Sequence, residues 1–122
     1  MSTQFDSMTP EQRLRWLSDE LGVDFEPQDW GIVNADAARL DEFTAFLCEH
    51  DLAPTQAFQM IELILASANE LLLDDPSADL EAVDAALSRH PEAAEHHVEY
   101  WSLLHDPDEF PIAAWLRARR AS

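Results

Sequence analysis

Apolar residues recur along this chain at spacings of three and four, and each such run opens on a proline or a capping residue. In TPEQRLRWLSDELG, residues 9–22, Leu14, Leu17 and Leu21 fall on one side of a helix. Its ends are marked chemically: Thr9 and Gln12 form a capping box, Pro10 suits the first helical position, and Gly22 suits the stop. Residues 23–34, VDFEPQDWGIVN, have no helical period and contain Pro27 and Gly31. They read as a connector, with room for a short extended piece, that tucks Phe25, Trp30 and Ile32 onto the core. From Asp36 to about His50, Leu40, Phe43 and Leu47 share a face with Phe46 beside it, which predicts a second amphipathic helix.

The third run is different. In PTQAFQMIELILASANELLLDD, Phe58, Ile61, Leu65, Ala68 and Leu72 make a stripe that Met60, Ile64 and Leu71 widen past one face. A helix apolar on most sides belongs at the centre of a bundle, so residues 55–73 are expected to be the central buried helix. Leu80, Val83 and Leu87 predict a fourth helix, Pro91 opens a fifth to about Leu104, and Pro111 opens a short last one that turns Ile112, Trp115 and Leu116 inward. With only two glycines, tight β-turns are poorly supplied, which strengthens the helical reading. The expected fold is all-α: one compact, bundle-like domain over residues 1–122 with five to six helices. Residues 1–8 are expected to be disordered and 117–122 to form a basic, frayed tail.

A length of 122 residues and 47% hydrophobic content suffice for one core without staples. Cys48 is the lone cysteine, so no internal disulfide forms. The start, MSTQFDSMTPEQ, lacks the basic and apolar regions of a signal peptide, and the most apolar run is broken by Glu62, Asn69 and Glu70. A cytoplasmic protein without a membrane span is expected.

Charge narrows the function more than any motif. The chain has 25 acidic residues against seven arginines and no lysine, a formal net charge of -18. All the acidic residues except Asp6 and Glu11 lie between Trp16 and Leu116, where only Arg39 and Arg89 oppose them. Such a field repels phosphate backbones and anionic lipid, because binding either needs cations to displace counterions. Direct nucleic-acid binding is not expected.

The densest titratable stretch is HPEAAEHHVEYW, residues 90–101. At about 100° per residue, Glu92, Glu95, His96 and Glu99 form one acidic stripe. His90, His97, Trp101 and Leu104 fall on nearly the opposite side. The stripe lacks the Glu-x-x-His of carboxylate-bridged bundles, and the chain holds no His-Glu-x-x-His, cysteine pair or EF-hand loop. Cys48 reads as a core or boundary residue, and the serines sit in no nucleophile motif. No catalytic residue, metal site or cofactor is therefore assigned.

What remains is a surface for a basic partner. Asp74, Asp75, Asp79, Glu92, Glu95, Glu99, Asp106, Asp108 and Glu109, interspersed with aromatic residues, can stand in for the phosphates that a nuclease or nucleic-acid-binding protein recognises. In size, acidity and helical pattern the chain is similar in type to small bacterial immunity or inhibitor proteins that neutralise basic toxins, although no motif carries that likeness. The expected function is a non-enzymatic, stoichiometric inhibitor or immunity-type protein. One alternative is a metal-binding helical protein or enzyme using His96 with Glu92, Glu95 or Glu99. Another is an oligomeric helical adaptor whose acidity reflects a high-salt or GC-rich source.

Overall fold

Helix α1, Pro10–Leu21, begins as its sequence predicts. Gln12 N–H donates to Thr9 Oγ1 at 3.1 Å and Thr9 N–H donates to Gln12 Oε1 at 2.9 Å, so two end groups of the helix are satisfied reciprocally. Gly22 takes the left-handed conformation, φ 67°, that ends the helix without a Cβ penalty. The computed structural model describes residues 5–104, 106 and 108–121, with the side chains of 102–104 and 121 outside that description. Within the leading segment expected to be disordered, residues 1–4 lie outside the described residues, while Phe5 is buried. Arg13 clamps it: Nε and Nη2 donate to the Phe5 carbonyl at 3.0 and 2.8 Å, and the Phe5 ring meets Trp16 edge-on at 4.8 Å.

The connector contains a helix that the period did not predict. Trp30–Val33 forms one turn, α2, where the sequence suggested a loop or short extended piece. A four-residue helix is too short to show a hydrophobic repeat, and its stability comes from two anchors. Trp30 is buried, and its indole N–H donates to Ser18 Oγ at 2.9 Å; Ser18 in turn donates to Leu14 O. Asn34 closes the loop, accepting from Asp24 N–H and donating to Asp24 O and Trp30 O.

A 3-10 turn at Ala37–Arg39, capped by Asp36, leads into α3, Leu40–Glu49. Then α4 runs from Pro54 to Asp74, close to the expected 55–73, with α5 at Glu81–Arg89, α6 at Pro91–Leu104 and α7 at Pro111–Ala121. The described residues thus hold seven α-helices and no strand, one or two helices more than the pattern predicted. The C-terminal segment expected as a frayed tail is helical through Ala121, because Arg119 pairs with Asp84 and donates to Ser88 on α5; Ser122 lies outside the described residues.

At 21 residues, about 30 Å long, α4 packs against each of the other helices. Met60, Ile61, Leu63, Ile64, Leu65 and Ala68 are all buried, so it is apolar around most of its girth, as a central helix must be. No helix among the described residues is long and apolar enough to cross a membrane.

Polar atoms on α4 fix where its neighbours sit. Gln56 donates to Arg13 O on α1, the Phe58 carbonyl accepts from His97 on α6, and Glu62 accepts from Gly31 N–H on α2. Ser67 Oγ accepts from Asp36 N–H at the 3-10 turn, and Asn69 Oδ1 accepts from Ile112 N–H in the first turn of α7. Five packed elements are each registered on α4 by at least one hydrogen bond that would be costly to leave unmade inside the protein.

Candidate partner-binding surface

All nine predicted acidic residues are exposed, but they fall into separate groups. Glu92, Glu95 and Glu99 follow the outer side of α6 with His96 among them, as the helical geometry requires. The inner side carries Ala94, His97, Val98 and Trp101, all buried. The Leu104 side chain, expected to face inward with them, lies outside the described residues. His90, expected on that inner side, instead ends α5 and precedes α6: its carbonyl accepts from Ala94 N–H and opens the helix.

Asp74 ends α4, Asp75 and Asp79 lie in the α4–α5 connection, and Asp106, Asp108 and Glu109 in the α6–α7 connection. The Asn69 bond to Ile112 places the start of α7 beside the last turns of α4, so these two acidic connections share one end of the molecule. His97 meets Phe58 in the first turns of α4, which puts the beginning of α6, with Glu92, toward the opposite end. The α6 row therefore starts away from the end that carries the two acidic connections.

Three of them also hold their own loops. Asp75 Oδ1 accepts from Ser77 N–H and Oγ, Asp79 Oδ1 from Glu81 N–H in the first turn of α5, and Asp106 Oδ1 from Asp108 N–H. Each is a carboxylate used as a turn or cap acceptor, a local role that explains the residue without a partner.

Several arginines make contacts within the chain, although Arg15, Arg89, Arg117 and Arg120 are exposed. Arg13 holds Phe5 and Thr55, and Arg15 lies 3.9 Å over the Phe25 ring. Arg39 pairs with Glu42 and donates to Leu21 O at the end of α1, while Arg119 ties α7 to α5.

Of the two adjacent histidines, only His97 enters the interior. It is 4% exposed, its Nε2–H donates to Phe58 O at 2.8 Å, and its ring lies 4.0 Å from that of Phe58. Burial pushes its pKa down to about 4 against the pull of the Phe58 carbonyl, with a small push from His96. It is a neutral donor at pH 7. His96 stays on the surface with its ring 5.4 Å from Phe58. Among the described residues no group of three or more His, Cys, Asp or Glu side chains is arranged to hold a metal ion. Cys48 is half-buried against the core.

A second feature had no sequence signature. An apolar groove of about 540 Å³ runs between α1 and the beginning of α4, bordered by Leu14, Leu17 and Phe58 and framed by Pro10, Pro27 and Pro54. Its residues come from three separate segments, and no repeat in the sequence links them.

No family model, curated protein or solved structure matches the chain.

Proposed function

We propose that this chain is a non-enzymatic acidic binding protein that neutralises a basic partner stoichiometrically, in the manner of an immunity or inhibitor protein directed at a toxin nuclease or another nucleic-acid-binding protein. The observation that supports this reading most is the exposure of the carboxylates of the α6 outer side and of the two end loops, while Arg13, Arg39 and Arg119 are half-buried in contacts within the chain. A net charge of -18 on 122 residues attracts a basic surface over about a Debye length and speeds its approach. Carboxylates held on a helix and in hydrogen-bonded turns are partly pre-positioned, which lowers the entropy lost on binding.

The test is a titration of the protein against the basic protein that co-purifies with it from its native source, repeated across ionic strength. Affinity should fall steeply as salt rises, and the variant Glu92→Gln/Glu95→Gln/Glu99→Gln should associate about tenfold more slowly at low salt. An affinity that stays constant from low to high salt removes the basis for the reading.

A further inference from the structure

Three of the chain's seven arginines, Arg117, Arg119 and Arg120, fall within the last turns of α7. The course of that helix is fixed near both ends. In its first turn Ile112 N–H donates to Asn69 on α4, and in its last turns Arg119 pairs with Asp84 and donates to Ser88 on α5. Between these anchors α7 packs against α6, the helix that carries the row Glu92, Glu95 and Glu99.

Where α5, α6 and α7 meet, the surface dips into a cleft of about 460 Å³ over the buried Ala94 and Val98. Its α6 wall carries Glu95 and Glu99, and its α7 wall carries Arg119 and Arg120. Opposite charges across a cleft of that size lie within about a Debye length of one another. Glu92, one turn earlier on α6, is exposed and does not line the cleft. Arg119 is half-buried and committed to α5, whereas Arg120 is exposed. Asn69 and Arg119 already hold α7 in place, so the fold does not need Arg120 as a further staple. Its guanidinium instead stands beside carboxylates that the α6 row would offer to another basic surface.

We propose that the end of α7 is an autoinhibitory contact on the α6 row: Arg120 takes, beside Glu95 and Glu99, the place of a basic group of the partner, which must move it aside to reach them. Glu92 stays open to the first encounter. This rests on the reading that the α6 row meets a basic partner, and adds how the chain itself restrains that surface.

The probe is a short arginine-rich peptide without apolar residues, titrated into the folded protein at low salt and followed by amide chemical-shift changes on α6. Arg120→Gln should bind it about threefold more tightly than Arg15→Gln, which removes the same charge from α1; a surface ion pair is worth about that factor. The gain should vanish when Arg120→Gln is combined with Glu95→Gln/Glu99→Gln, and persist when it is combined with Glu92→Gln. Arg120→Lys, which keeps the charge, should behave as the parent. The urea midpoint of Arg120→Gln should stay that of the parent, since Asn69 and Arg119 still hold α7. Equal affinities of Arg120→Gln and Arg15→Gln overturn the autoinhibitory contact and leave the basic-partner reading standing. So does a lowered urea midpoint without a gain in affinity, which makes Arg120 a structural residue. Failure of every form to bind the peptide overturns the contact and the basic-partner reading together.

Discussion

Lowering the pH from 7 toward 4 should cost the protein the stability that depends on a neutral His97. The imidazole is enclosed by α4 and α6 with its Nε2–H committed to Phe58 O, so the folded chain resists the second proton that the unfolded chain takes up freely. A histidine whose folded pKa is depressed loses nothing above its ordinary value. As pH falls below about 6.5 the unfolded state binds protons first, and stability declines until the folded state also titrates near 4. The separation of those two values, at about 1.4 kcal/mol per factor of ten, is worth roughly 3 kcal/mol. The carboxylates titrate over the same range, so the overall pH profile is not diagnostic. The comparison is between the parent and His97→Gln, whose amide can still donate to Phe58 O without titrating in this range. Urea unfolding followed by circular dichroism at several pH values from 7 to 4 should show the parent's advantage over His97→Gln shrinking by roughly 3 kcal/mol. A difference that stays flat across this window would mean that His97 accepts the proton in the folded protein, and would refute its enclosure between α4 and α6.

Two further expectations probe how α4 positions its neighbours. A Cβ on Gly31 would lie 2.7 Å from the backbone nitrogen of Leu63, so Gly31→Ala must lift α2 from α4 and weaken the Glu62 bond. It should destabilise by about 1–3 kcal/mol in denaturant unfolding and alter Trp30 fluorescence, whereas an unchanged midpoint would show that α2 is not seated there. Asn69→Ala removes the acceptor for Ile112 N–H and should lower stability by about 1–3 kcal/mol, with hydrogen exchange accelerated selectively in α7; uniform acceleration would deny Asn69 a role in placing that helix.

Local pattern made much of this fold legible. The capping box at Thr9 and Gln12, the left-handed Gly22 and the proline starts at Pro54, Pro91 and Pro111 are short-range signals, and the helices begin or end at them. The divergence of His96 and His97 follows from helical rotation alone. Helix α2 and the burial of Phe5 depend on distant residues, Ser18 and Leu63 for one and Arg13 for the other, and no window of neighbouring sequence contains those partners. For the candidate surface, sequence indicated which carboxylates are exposed but not how they group. Asp75, Asp79 and Asp106 are turn acceptors, and the two acidic loops share the end of the molecule where Asn69 bonds the start of α7.

The sequence by itself determined the helical class, the central place of α4 and the sign of the outer field, since periodicity, caps and charge act over a few residues or as a simple sum. Tertiary structure decided the meaning of the polar residues inside the most apolar helix. Glu62 and Asn69 look like interruptions of a hydrophobic run, yet each satisfies a backbone N–H of another helix and so fixes its position. The α1–α4 groove likewise exists only in the folded chain. Hydrophobic burial is nearly non-directional and drives helices onto α4 without choosing their register; directional bonds that cannot be left unmade in the interior make that choice.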